Sequence, residues 1–390
     1  MRIGEILREA AADLRRVAGS PGSAGDPYEI VAYRGYASES RALVHGRVLE
    51  SPNVSAATAN DSLWRNLINI LKRVESDPVA GARVAVSAGG TEREIVADDE
   101  GFFRAWIDLR SIPSEEPWRE VELRLVAPLR EHQPDVRAKA PLRLPEASAT
   151  FGVISDLDDT VIQSRISNFL QAVRTVMLGN ARTRLPFPGV AAFYQALQRG
   201  GDGSRHNPIF YVSSSPWNIY DIIADFMDLQ NIPVGPILLR DWDIELSALS
   251  PNRLRGHKEP LIREILDLYP GLPFVLIGDN SQKDPEIYRS ILDDYPGRIL
   301  AIYIRNVEHH PERSASVKAL AEEVLSAGST LVLADDSFAA ATHAAEHEWI
   351  TRESLPSVRQ EEKADEGITG TKADVPGVPE EPPAPTIVVE

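Results

Sequence analysis

The chain has 390 residues, 43% of them apolar and 25% charged, with a formal net charge of −17 and no cysteine. This length allows two or more domains with ample core, and the composition is that of a folded globular protein. The charge opposes general binding to nucleic acid or anionic lipid, and the lack of cysteine excludes disulfides, thiolate metal sites and cysteine nucleophiles. Histidines and carboxylates must carry any metal chemistry.

The N-terminus, MRIGEILREAAADLRRVAGS, has no apolar core of signal-peptide length, and nothing later approaches about 18 consecutive apolar residues. A cytoplasmic protein without a membrane span is expected. Ile3, Ile6, Leu7, Ala10, Leu14 and Val17 fall at helical spacing, which predicts an amphipathic helix and linker over residues 1–27. The acids Glu5, Glu9 and Asp13 interrupt its arginines and favour packing against a neighbouring domain over an interfacial membrane role.

Residues 28–147 read as short strands, among them ALVHGRVLE, ARVAVSAGG, EREIVADDEGFFRAWIDL, EVELRLVAP and RAKAPLRL, separated by turn-forming clusters. A small antiparallel β-sandwich-like domain is expected, interrupted by helical periodicity in DSLWRNLINILKRV at residues 61–74. The piece ADDEGFFRAWIDL resembles the turn and strand of transthyretin-like sandwiches, and equally any hairpin with an Asp-Glu-Gly turn.

Over residues 148–350 strands alternate with helices. VISDL, IFYVSS, ILLRD, FVLIGD, ILAIYIR and TLVLAD are short apolar runs, and amphipathic stretches begin near Val190, Ile219, Lys258, Pro285, Glu312 and Asp336. The pattern predicts an α/β domain with a doubly wound, mainly parallel sheet, whose ligands sit beyond the carboxyl ends of its strands. Residues 351–390, rich in Pro and Glu, are expected to form a disordered acidic tail.

At the carboxyl end of the first of these strands, FGVISDLDDTVI crowds Asp156, Asp158 and Asp159 together. Carboxylates held this close repel unless a cation or proton lies between them. An EF-hand calcium loop requires Gly and Glu where counting from Asp156 finds Val161 and Ser167, so that reading fails. A solvated turn with a helix cap would account for DLDDT alone. Phosphoryl transfer through an aspartyl-phosphate would demand anion donors, a lysine and a further acid near other strand ends.

All three occur in order. Ser213, Ser214 and Ser215 follow the strand IFYV, Lys258 opens a helix, and Asp279 and Asp284 flank one loop in GDNSQKDPEIY. The set resembles the haloacid dehalogenase superfamily, with DxDxT as Asp156, Asp158 and Thr160. Dehalogenases lack the second Asp and cation pumps replace it, so Asp158 points to a phosphatase or phosphotransferase.

NARTRLPFPGV, FYVSSSPWNIY, GHKEPLIREIL and FVLIGDNSQKDPEIY narrow the likeness, over about residues 145–335, to the actin-patch phosphatidate phosphatase catalytic-domain family with its bacterial relatives. The resemblance implies Asp156 as nucleophile and Asp158 as acid and base. It also implies Mg²⁺ held by Asp156, the Asp158 carbonyl and Asp279 with Asp284 in or just behind the shell, Lys258 as counter-charge and Ser213 on a phosphoryl oxygen. Ser213 is preferred to Ser214 because it directly follows the strand, Thr160 completes the motif, and Asp159 needs no role. The implied substrate is phosphatidate or another bulky phosphomonoester, met at a membrane surface in transient contact, and no nucleic-acid partner is expected. A non-catalytic scaffold is the contrasting reading.

Between Thr160 and Pro188 one helix is expected, carrying Ile166, Phe169, Leu170, Val173, Val176 and Met177 on one face, which makes a small cap and an open site. Arg165, Arg174, Arg182 and Arg184 stand there as solvated charges or contacts to an anionic substrate. Finally, His343, Glu346 and His347 spell H-x-x-E-H, but a helix face yields such spacing cheaply and the pair lacks a third ligand, so no zinc site is expected.

Overall fold

The computed structural model describes residues 26–50, 77–109, 117–133, 135–157, 188–240, 257–307, 311–369 and 387–389. The helices expected within residues 1–27, at 61–74 and between Thr160 and Pro188, with Arg165, Arg174, Arg182 and Arg184, lie outside them. The chain divides into two compact units, Met1–Pro145 and Glu146–Glu390.

The first unit is built on β1 (Tyr28–Ala32), β2 (Gly35–Ala37), β3 (Arg41–Glu50), β4 (Asp77–Pro78), β5 (Arg83–Ala88), β6 (Thr91–Val96), β7 (Phe102–Asp108), β8 (Trp118–Ala127) and β9 (Arg137–Arg143). Among the described residues these hydrogen-bond into one nine-stranded network in which only the β2–β9 pair is parallel. The long strand β3 joins the network because it pairs with β1 and β2 along one edge and with β7 and β4 along the other. Val44, Val84, Phe103, Leu123 and Leu142 meet in its apolar core. The ADDEG turn before β7 is a local device: Asp98 Oδ1 accepts the N–H groups of Glu100 and Phe102 at 2.9 and 2.8 Å, and Gly101 sits at φ +76°.

The second unit is α/β. Its strands are β10 (Gly152–Asp156), β11 (Ile209–Pro216), β12 (Ile237–Arg240), β13 (Phe274–Asp279), β14 (Ile299–Arg305), β15 (Thr330–Ala334) and β16 (Ile387–Val389). Their order is β12-β11-β10-β13-β14-β15-β16, parallel throughout except for β16. β10 and β13 are buried at every residue, which is why they read as continuous apolar runs rather than alternating ones. From β10 the chain steps outward through β11 and β12, then returns to add β13, β14 and β15 on the other side. The order therefore reverses between β10 and β13, and such a switch opens a crevice at the carboxyl ends.

The helices are α1 (Val190–Arg199), α2 (Tyr220–Leu229), α3 (Lys258–Leu268), α4 (Asp284–Asp294), α5 (Pro311–Ser326), α6 (Ser337–Glu346) and α7 (Leu355–Thr369). α1, α6 and α7 pack together, as do α3, α4 and α5, consistent with a layer on each face of the sheet. Helix α7 corrects, for Leu355–Thr369, the expectation of a disordered tail over 351–390. Its Val358 is fully buried, Glu361 Oε2 accepts the Ala192 N–H at 2.6 Å, and the Arg359 guanidinium lies 3.9 Å from the Phe338 ring centroid. Composition averaged over the Pro-rich end concealed this one packed face. Among the described residues no helix is long and apolar enough to cross a membrane.

Candidate functional site

Asp156 ends β10, and Asp279 ends the neighbouring β13, so the two carboxylates leave the sheet side by side at the switch point. Asp284 begins α4 after a short turn, with Pro285 in the first helical turn, where a missing N–H costs nothing. Lys258 is the first residue of α3. All four side chains are buried.

The Lys258 ammonium joins the cluster. Its Nζ lies 2.8 Å from Asp156 Oδ1 and 2.8 Å from Asp284 Oδ1, and it donates to Gln282 Oε1 at 3.3 Å. Asp284 Oδ2 accepts the Asp279 N–H at 3.3 Å. Asp279 Oδ1 accepts the N–H groups of Ser281 and Gln282 at 2.6 and 3.2 Å, which folds the turn back on its own carboxylate. Burial, and then the Asp284 charge, push the Asp279 carboxyl up to about 6.

Asp156, Asp279 and Asp284 each offer a carboxylate oxygen within 4.8 Å of the others. One ammonium cannot neutralise three buried carboxylates, and the donors are all hard oxygens, so the set fits a hard divalent cation. The site thus combines a cation position, a lysine counter-charge and a carboxylate at the strand end, a constellation able to bind and polarise an anionic group.

Strand β11 runs past the expected end at Ser214 to Pro216, with an irregular register against β12 between Val212 and Pro216. Ser213 and Ser215 are buried and Ser214 is half-buried. Ser213 Oγ accepts the Ser215 N–H at 3.0 Å, which ties the turn together. Asp156 pairs with Val212 in the β10–β11 register, so this serine turn emerges beside the acidic cluster. Asp158, Asp159 and Thr160 lie outside the described residues.

Sequence reasoning missed several participants. Gln282 bonds Lys258 from inside the GDNSQKD turn. Ser155 Oγ donates to the Asp156 carbonyl at 2.7 Å and lies 2.7 Å from the Tyr194 hydroxyl. A serine within an otherwise apolar strand was the available signal. Gly278 has a reason of its own, because a Cβ there would stand 2.7 Å from both Asp284 Cβ and Asp284 Oδ2.

The H-x-x-E-H residues lie elsewhere in the unit. His343 Nδ1 is 2.9 Å from the Tyr303 hydroxyl, His347 Nδ1 is 3.0 Å from the His343 carbonyl, and the two rings are 4.2 Å apart. Among the described residues no third metal-binding side chain joins them.

Residues 151–306 match the family described as Phosphatidate phosphatase APP1, catalytic domain. The chain is 29% identical to the Phosphatidate phosphatase APP1 of Saccharomyces cerevisiae over 155 residues, 40% of this chain and 25% of that protein. It is also 29% identical to an uncharacterized protein of Schizosaccharomyces pombe over 157 residues, again 40% of this chain and 25% of the relative. The match thus spans a quarter of the length of these relatives. A carbohydrate acetylesterase from Xanthomonas citri aligns at 12% identity over 74% of this chain and 71% of its own, with a TM-score of 0.24, too low to bear on the fold.

Proposed function

We propose that the chain, whose residues 151–306 match the phosphatidate phosphatase APP1 catalytic-domain family, is a Mg²⁺-dependent phosphatase that converts phosphatidate to diacylglycerol through an aspartyl-phosphate. The observation that carries the reading is the convergence of Asp156, Asp279, Asp284 and Lys258 at the switch point of the parallel sheet. The reversed strand order supports a haloacid dehalogenase-like fold for this unit.

In this reading an Asp156 carboxylate oxygen attacks phosphorus and the ester P–O bond breaks. Asp158 gives its proton to the departing alkoxide, then takes a proton from the water that attacks the aspartyl-phosphate. The P–O bond to Asp156 breaks, orthophosphate leaves, and both acids return to their starting states. Lys258 offsets the charge of Asp156 and of the incoming phosphoryl group, and Ser213, with Ser214 beside it, donates to phosphoryl oxygens. Thr160 belongs with this turn as the last member of DxDxT. Asp156, Asp158, Asp279 and Asp284 would hold Mg²⁺, which supplies charge neutralisation for the phosphoryl oxygens when bound. The enzyme would work from the cytoplasm in transient contact with a membrane surface.

The test is phosphate release from phosphatidate in mixed micelles, with and without Mg²⁺, for the wild type and Asp156→Asn. Metal-dependent release that disappears in the variant supports the nucleophile and the lipid together. Release from a small aryl phosphate but not from phosphatidate would retain the chemistry and reject the lipid substrate in favour of another phosphomonoester. Silence on both would reject the enzyme and leave a scaffold.

A further inference from the structure

Two of the three clustered carboxylates, Asp279 and Asp284, stand at opposite ends of the turn GDNSQKD, where β13 has ended and α4 has just begun. Like charges in that position push each other apart, so something must hold the turn against them. The chain after Asp279 is gripped by the neighbouring strand exits. Asn280, only 1% exposed, donates its backbone N–H to the Arg305 carbonyl at 3.0 Å and its Nδ2 to Asn306 Oδ1 at 2.7 Å. Its Oδ1 accepts the Val307 N–H at 2.8 Å. Asn306 passes the connection on, donating Nδ2 to Asp335 Oδ1 at 2.7 Å and its backbone N–H to the Ala334 carbonyl at 2.9 Å.

We infer that Asn280, Asn306 and Asp335 form a clamp across the exits of β13, β14 and β15 that sets the affinity of the acidic site for its divalent cation. The clamp acts through Asp279, so its members are positioning residues. Three bonds fix the first residue of the turn to the end of β14, and the third strand orients the asparagine that makes one of them. The turn is thereby held in the shape that directs the Ser281 and Gln282 N–H groups onto Asp279 Oδ1. Released from it, Asp279 can swing away from Asp284, and the cation must then pay to reassemble the site. The inference rests on the metal-dependent reading above.

The test measures Mg²⁺ binding by titration calorimetry on the full chain, beside thermal melting in EDTA. Hydrogen-bonded partners of metal ligands are typically worth about 10- to 100-fold in metal affinity. Asn306→Ala and Asp335→Ala, one bond further from the cation than a direct partner of a ligand, are expected to weaken Mg²⁺ binding by about 10-fold, the low end of that range. Asn306→Ala removes the acceptor of the buried Asn280 Nδ2 and so also lowers the melting temperature in EDTA. Asp335→Asn is expected to keep wild-type affinity, because its amide oxygen still accepts from Asn306. A merely structural role would lower the melting temperature without this pattern of rescue. Wild-type affinity in both alanine variants would overturn the clamp, as would Asp335→Asn binding as poorly as Asp335→Ala. If Asn306→Ala fails to fold, the two Asp335 variants decide. A wild type that binds no Mg²⁺ would remove the metal-dependent reading and the clamp with it, an outcome distinct from a metal-binding wild type with unaffected variants.

Discussion

The Lys258 ammonium lies 2.8 Å from the carboxylate of Asp156, the residue at the end of the central strand, in a setting where both side chains are buried. It also bridges to Asp284, so its removal leaves three acids facing one another. Breaking a buried pair from one side costs about 3 kcal/mol, because the partner charge stays desolvated. Lys258→Met is therefore expected to unfold at markedly lower denaturant in EDTA, to regain much of that stability with Mg²⁺, and to lose at least about 100-fold in kcat. Denaturant melts with and without the metal, beside turnover, check it. A variant as stable as the wild type without metal would contradict the role of the ammonium.

Gly278 meets Asp284 where any side chain would collide. Gly278→Ala is expected to displace the Asp284 carboxylate and weaken divalent cation binding by about 10-fold or more, through a single methyl group that carries no charge. Calorimetric titration with Mg²⁺ reads the effect. Unchanged affinity would mean that the Asp284 side chain can shift without leaving the site.

Helix α1 has Gly189 at its N-cap and no acid of its own in the first turn. The carboxylate that satisfies the Ala192 N–H comes from Glu361 on α7. Glu361→Ala should cost about 1 kcal/mol, as loss of a side-chain N-cap does, and Val358→Ala about 1 to 2 kcal/mol through the methyl groups it buries. Urea melts distinguish both from the near-zero effect expected of a free tail.

His343 is buried against Tyr303 and His347, and burial, then the neighbouring imidazole, hold it down at about 4. Its folded value lies below the ordinary 6.5, so between those limits the unfolded chain binds more protons. The stabilisation from keeping this ring neutral is complete above pH 6.5 and is lost as pH falls toward 4. After allowance for partial hydration of the ring, the loss is on the order of 1 to 2 kcal/mol. Melting curves from pH 4 to 8 should show a shallower acid decline in His343→Gln than in the wild type, and parallel declines would refute the assignment.

The strand ends and helix starts of the second unit were legible in the linear chain, because parallel strands covered on both faces appear as unbroken apolar runs that stop abruptly at polar residues. Asp156, Ser213 and Asp279 stand at or beside such stops, and Lys258 and Asp284 stand at helix starts. Periodicity reports each segment's own burial and little else. In the first unit it passed over β2 and β4, which are too short to display an alternation, and over β1, whose burial does not alternate.

What periodicity cannot report is who stands next to whom. Tertiary pairing put β10 between β11 and β13, brought Lys258 onto Asp156 and Asp284, and set Asn280 against Asn306 and Asp335. It also recruited α7 from a stretch whose composition reads as tail. The residue types that can bind a cation or an anionic group are written locally. Their arrangement into one buried cluster depends on strand order and on contacts between segments far apart in the chain, and only packing of the whole unit decides those.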